Sequence, residues 1–324
     1  LETLRQNGIT PDFCVIVDAQ WVKSAITQDL EYLKNINFIV DIKADNYVYT
    51  LPCKNLFTYF TQNSICAQKI ATKMLGDIKL LESAGTSTIT AYKCARLMGC
   101  TNIIFAGVDL AFKDDTAYCD DKNAVANTQS SVKIQNIVRE ITDVKSITGE
   151  YVKTRVDYAC FIKQFEKFFS QDKGANFFNL TTFGAFINGM KYDSLENLVQ
   201  SLKPENPKIQ EVLDNFIDTT RFNPQELLEK AKEVFQEEES RVSPIIEAID
   251  EWFEMYLEHP SFFDYATSII TKITSSMILS EYIQIELLRF TKLVLDKDEE
   301  KKKEFVLELF KQIKTFDKNL KNLT

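Results

Sequence analysis

Residues 85–112 read GTSTITAYKCARLMGCTNIIFAGVDLAF, and the fold follows from this stretch. A turn signal, Gly85-Thr86-Ser87-Thr88, precedes a segment in which Ala91, Cys94, Ala95 and Met98 recur at i, i+3, i+4 and i+7, one apolar face of a helix. Gly99 suits the left-handed position that ends such a helix. Asn102 to Val108 is then a near-continuous apolar run, the pattern of a strand buried on both faces of a parallel sheet. Helix and strand form one βαβ crossover. The expected fold class is α/β, with a Rossmann-like, mostly parallel sheet and flanking helices.

The same form recurs on either side. Phe13 to Val17 is an apolar run closed by Asp18, and Asn37 to Ile42 repeats it. Two β-rich runs flank Gly149 between Ile137 and Thr154, a hairpin pattern. A helix is expected from Val156 to Phe169, a strand from Asn176 to Leu180, and then a loop through Thr181, Thr182 and Gly184. Past Pro204 the texture changes. Asn223-Pro224-x-Glu226 supplies an N-cap, an N1 proline and a capping-box acid before Leu227, Ala231, Val234 and Phe235. Ser243-Pro244 reads as the opening of another helix, with Ile245, Ile249, Trp252, Phe253 and Tyr256 on one face and Pro260 as its stop. Helical periodicity continues through Tyr282–Leu295 and Phe305–Phe316, while the mixed charges of Lys297 to Lys303 read as a solvated turn. Residues 1–203 are therefore expected to form the α/β domain and residues 204–324 an all-helical domain.

Composition narrows the function classes. Of 324 residues, 45% are apolar and 26% charged, ample for a buried core. The net charge of −9 gives no general attraction to nucleic acid or to an anionic membrane, so neither is expected as a partner. No apolar run reaches the roughly 18 residues that span a bilayer. Seven cysteines lie in the first half with no C-x-x-C pair, which fits scattered thiols in a reducing cytoplasm. The one histidine, His259, leaves triad chemistry poorly supplied. Leu1 stands in place of an initiator Met and Leu1 to Gly8 reads as the middle of a helix, so a fragment or processed chain is expected.

Chemistry concentrates between Glu82 and Asp121. Gly85, Thr86 and Ser87 present hydroxyls together with the free N–H groups of a helix's first turn, a combination that holds phosphate or carboxylate oxygens. The simpler alternative is an ordinary N-cap. Asp109 emerges where the central strand ends, and ligands of open α/β sheets sit outside the strands' carboxyl ends. Its simpler alternative is the cap of a turn. The acidic pairs Asp114-Asp115 and Asp120-Asp121 read as solvated loop charges rather than metal ligands.

The run quoted above resembles the central domain of the bacterial motility accessory factors, flagellin glycosyltransferases. Their pattern is a Gly/Ser-rich turn, a helix ending in Leu-Gly-Cys, a strand Ile-Ile-Phe-x-Gly, and then x-Asp-Leu-Ala before an aromatic residue. Asn7 to Phe13 with Val17-Asp18, and Asn179-Leu180-Thr181 with Gly184-Ala185-Phe186-Ile187-x-Gly189, extend the likeness over about residues 1–200. The spacing from Ser87 through Gly99 and Gly107 to Asp109 is also similar to metal-independent sialyltransferases that use CMP-sialic acid. The resemblance implies that Gly85, Thr86 and Ser87 hold the donor, that Asp109 shapes its site, that Asp18 and Thr181 lie on the substrate side, and that Tyr118 acts catalytically on the departing phosphate. It implies no cofactor and no metal, a CMP-nonulosonic acid donor of the pseudaminic or legionaminic type, flagellin as acceptor, and a cytoplasmic location.

Several positions depart from the pattern. The sialyltransferases' first tyrosine falls on Ala111, and the neighbouring aromatic is Phe112, without a hydroxyl. Their general-base histidine has no counterpart. Thr-Glu-Gly-Gly before the closing loop reads Thr181-Thr182-Phe183-Gly184, and the family's Gly-x-Gly-Pro-Ser turn is absent. Two alternatives accompany the glycosyltransferase: a pterin pyrophosphokinase on a related central domain, needing ATP and Mg²⁺, and a non-catalytic flagellin-binding protein.

Overall fold

The computed structural model describes residues 1–18, 26, 29–82, 85–112, 140–202, 213 and 223–324. The chain divides into two compact units, one of residues 1–59 and 81–216 and the other of residues 60–80 and 217–324.

The first unit is α/β. After α1 (Glu2–Gln6), strands β1 (Phe13–Ile16), β2 (Asn37–Asp41) and β3 (Asn55–Tyr59) form a parallel sheet in that order, with α2 (Leu30–Leu33) between the first two. A second parallel sheet has the order β4 (Asn102–Phe105), β7 (Asn176–Asn179), β8 (Met190–Tyr192). Between β4 and β7 in sequence lie an antiparallel hairpin, β5 (Ile141–Lys145) with β6 (Tyr151–Arg155), and α5 (Val156–Gln171). The unit also holds α6 (Leu195–Leu202). The expectation of strands buried on both faces holds for the two central strands. All five residues of β2 are buried, as are Phe177, Phe178 and Asn179 of β7. β4 lies at a sheet edge and alternates instead, with Ile103 and Phe105 buried and Ile104 exposed.

Helix α4 (Ser87–Leu97) serves both sheets. Cys94 joins Ile39 and Leu81 against Phe13, Val15 and Phe57, while Ile89 and Tyr92 pack with Ile103, Phe105, Phe165, Phe169 and Phe177. Its buried side therefore differs from the expected one. Met98 is half exposed, and the helix rests on Ile89, Thr90, Tyr92 and Cys94, because sheets on two sides demand a wider stripe than a single i, i+3, i+4 seam. Gly99 ends it at φ +90, as its position suggested.

The second unit is helical, with α3 (Ile65–Leu75), α7 (Pro224–Met255), α8 (Phe262–Lys272), α9 (Met277–Tyr282), α10 (Gln284–Leu293) and α11 (Glu299–Lys321). Asn223 caps α7 as expected, but Pro244 does not open a new helix: α7 runs through it for 32 residues. The missing N–H and the ring clash are offset by the burial of Val242, Ile245, Ile249 and Trp252 in one core. The charged run is also not wholly a turn. Asp298 caps α11, and Lys302 is buried with its ammonium over the Phe263 ring and 3.0 Å from Glu299. Glu238, fully buried, accepts from the N–H groups of Ile278 and Leu279 at the start of α9 and from the Ser276 hydroxyl. No described helix is long and apolar enough to cross a membrane.

At the amino ends of β4 and β7, Arg96 forks onto Asp172 at 2.8 and 3.1 Å and Tyr92 donates to the same carboxylate at 2.8 Å. Burial disfavours the Asp172 charge, but the hydrogen bonds from Arg96 and Tyr92 outweigh it and hold the carboxyl below its ordinary value. Asp172→Asn is expected to lower stability at neutral pH by about 1.5–3 kcal/mol, the worth of hydrogen bonds to a charged group. A folded-state value below the unfolded one of about 3.9 means that this contribution is complete above the latter and lost as pH falls through the former. Urea unfolding across pH should show variant and wild type converging in acid. A gap that does not narrow below about pH 4 contradicts the assignment.

Candidate functional site

Parallel strands bring their carboxyl ends to one edge of a sheet, and that edge of the first unit collects most of the polar side chains singled out from the sequence. The direction of α4 places its first turn there. Its last turn is tied through Arg96 to Cys100 and Asp172, just ahead of β4 and β7, so its first turn lies about 16 Å away toward the strands' carboxyl ends.

Thr86 is the N-cap of α4: its Oγ1 accepts from the Thr88 N–H at 3.3 Å, which leaves its own proton free to donate. Ser87, at the first helical position, is exposed. The capping role and the exposed hydroxyl thus fall on different residues. Gly85, at φ +49, leaves no room for a side chain, since a Cβ would lie 2.9 Å from the Phe161 ring and 3.1 Å from Gln164 Oε1.

Asp109 follows β4 and is gripped from several directions. Its carboxylate Oδ1 accepts from the Thr181 hydroxyl at 2.5 Å, and its carbonyl accepts from the Ala185 N–H at 2.7 Å. The Thr181 hydroxyl also contacts the Phe183 carbonyl. The Asn179 side chain donates to the Val108 carbonyl at 2.9 Å and accepts from the Thr181 N–H at 3.1 Å. Next to Asp109, Leu110 adopts φ +46, a left-handed conformation costly for a residue with a Cβ; its carbonyl accepts from Thr154 at 2.7 Å. Gly184 at φ +136 packs so closely that a Cβ would stand 2.4 Å from the Asp109 carbonyl oxygen. Asp109 and Thr181 are therefore brought together. Ala111 and Phe112, the positions that lack the sialyltransferases' tyrosine, are buried.

Asp18 stands exposed just past β1, its carbonyl accepting from the Asp45 N–H at 3.0 Å. Tyr118 and the acidic pairs at 114–115 and 120–121 lie outside the described residues. His259, in the turn before α8, accepts at Nδ1 from the Ser261 N–H at 3.1 Å and serves that turn.

The sequence reading missed a second group at the same edge. Asp41, the last residue of β2, is buried and its Oδ1 accepts from the Lys43 N–H at 3.0 Å. Tyr59, the last residue of β3 and its register partner, has a buried hydroxyl without a hydrogen bond of ordinary geometry. Burial, and next the Asp41 charge, push the Tyr59 pKa up. Asp41 is followed by Ile42 and Tyr59 by Phe60, so neither polar residue closes an apolar run as Asp18 does.

Residues 1–115 match the family model described as 6-hydroxymethylpterin diphosphokinase MptE-like, which spans β1 to β4 and the Asp109 turn. Sequence comparison with curated proteins yields no match. Among solved structures, the Maf glycosyltransferase of Magnetospirillum magneticum AMB-1 superposes with a TM-score of 0.62 over 99% of this chain, at 14% identity. The chain shares the fold of that Maf glycosyltransferase. The resemblance read from the sequence is borne out, and the alignment takes in both the α/β unit and the helical unit. The chain spans about half the length of that Maf protein, 50% of which is covered.

The closeness of Gly184 to Asp109 is testable. Gly184→Ala is expected to destabilise the α/β unit by about 1–3 kcal/mol or more through overpacking at a left-handed backbone position. Chemical denaturation measures it, and an unchanged midpoint would show that the two turns do not meet as described.

Proposed function

We propose that the protein is a glycosyltransferase that binds a CMP-activated nonulosonic acid at the carboxyl edge of its α/β unit and passes the sugar to a Ser or Thr hydroxyl of flagellin in the cytoplasm, supporting flagellar assembly and motility. The observation that carries the reading is the arrangement of the Ser87 turn and the Thr181-held Asp109 at one strand-end edge, in a chain with the Maf fold.

The residue types suit the chemistry. An exposed hydroxyl and free N–H groups at a helix N-terminus favour a phosphodiester, and a carboxylate can accept from the amino group of cytosine or from sugar hydroxyls. In the transfer, the bond from the anomeric carbon to phosphate breaks, a bond to the acceptor oxygen forms, and the acceptor proton passes to a base. CMP departs with the electron pair. A tyrosine hydroxyl ordinarily keeps its proton at neutral pH, and Tyr118 is assigned to donate to the phosphate as its charge grows. Asp18 and Gly85 are assigned to the substrate side, and no cofactor or metal is needed in this scheme. The helical unit is assigned to acceptor recognition.

A second reading has its own support, because the family model over residues 1–115 is described by a pterin diphosphokinase. Calorimetric titration separates the two. CMP binding without metal supports the transferase, magnesium-dependent ATP binding supports the kinase, and binding of neither leaves the flagellin-binding alternative. Ser87→Ala is expected to weaken CMP by about 0.5–3 kcal/mol with little change in melting temperature. Thr86→Ala should instead cost about 0.5–2 kcal/mol of stability through the lost cap. Tyr118→Phe should lower turnover more than donor affinity, and wild-type turnover in that variant removes Tyr118 from the scheme.

A further inference from the structure

We infer that Asn179 is the positioning residue of this crevice: it sets the direction of the Asp109 carboxylate by holding the two strand-end turns on either side of it. The inference rests on the reading above for the identity of the ligand, but its geometry stands apart from it. Asn179 closes β7, between Phe105 of β4 and Tyr192 of β8, and is fully buried. A buried carboxamide is costly unless both its ends are satisfied, and here both are spent on the candidate site. The amide N–H donates at 2.9 Å to the Val108 carbonyl, in the peptide unit that joins Val108 to Asp109. The amide oxygen accepts at 3.1 Å from the N–H of Thr181, whose hydroxyl donates to the Asp109 carboxylate.

One side chain thus governs both the backbone that carries Asp109 and the hydroxyl that orients it. Neither role passes to a close substitute. An ionised Asp lacks the donor for Val108, a Leu lacks both donor and acceptor, and a Ser is too short to span both turns. The Asp109 turn is also held by the Ala185 N–H and the Thr154 hydroxyl, but it is held in a strained form. Leu110 is held at a positive φ and Gly184 is already against the Asp109 carbonyl, so loss of the Asn179 bonds releases a turn that is strained as built.

Two measurements on the full chain test this. In the free protein, hydrogen exchange of Asn179→Ala should speed up by about tenfold or more over residues 106–112 and 181–186, while α5 keeps its protection. Unchanged exchange at those turns, or a uniform rise that includes α5, overturns the positioning role whatever ligand binds. The second measurement is a double-mutant cycle on CMP affinity. Asn179→Ala and the milder Thr181→Val should each weaken CMP, and neither should weaken it further once Asp109 is already Ala. Additive losses overturn the inference, because they would mean that Asn179 acts independently of Asp109. If the wild-type chain binds no CMP, the donor reading falls, and the exchange result alone decides the role of Asn179.

Discussion

Gly184 lies against the backbone of Asp109 with no space for even a methyl group, and the candidate site is organised around that contact. It brings the turn after β7 onto the turn after β4, so that the Ala185 N–H reaches the Asp109 carbonyl and the Thr181 hydroxyl reaches its carboxylate. The hairpin then closes the arrangement from a third side, with Thr154 on the Leu110 carbonyl and the Lys153 carbonyl accepting from Phe112. A carboxylate held by so many fixed partners has little reorganisation left to make when a ligand arrives, which is the condition under which polar groups act most strongly.

The opposite edge of the same unit is built differently. There the Arg96–Asp172–Tyr92 cluster and the stacked rings of Phe169 and Phe177, 3.9 Å apart, join α4, α5 and β7 through charge and aromatic packing. Strain at one edge and compact ionic and aromatic bonding at the other agree with a division of labour common in α/β proteins, in which loops at the carboxyl ends carry function and the remainder carries stability.

Much of this was legible in the sequence, for physical reasons that can be named. The strand runs Phe13 to Val17 and Asn102 to Val108, the Gly99 stop and the hairpin around Gly149 are local signals, and each marks an element of the structure, although β4 ends at Phe105, short of the run that was read. Asp109 followed from the strand-end rule and Thr181 from the resemblance, and the structure brings the two together. What escaped depends on distant contacts. β8 is short and β3 alternates in burial, so neither resembles the continuous runs that marked the other strands. Pro244 reads as a boundary until the core that overrides it is seen. Asn179 reads as a polar residue near the end of a strand, because nothing local shows that its amide N–H is used by Val108, far away in sequence.

Helix α3 is encoded between β3 and α4 yet belongs to the helical unit, where Cys66, Ala67, Ile70 and Ala71 are sheltered by residues of the C-terminal core. Its principal partner, α7, begins about 150 residues later. At synthesis rates of about 5–20 residues per second, the apolar face of α3 waits roughly 7–30 s before that partner has been made. During that interval the remainder of the α/β unit, encoded after α3, is being made. Biogenesis of this protein therefore has an order imposed by its chain path: an unsheltered amphipathic helix must remain uncommitted while a neighbouring sheet forms, a setting in which holding by a chaperone would have most effect.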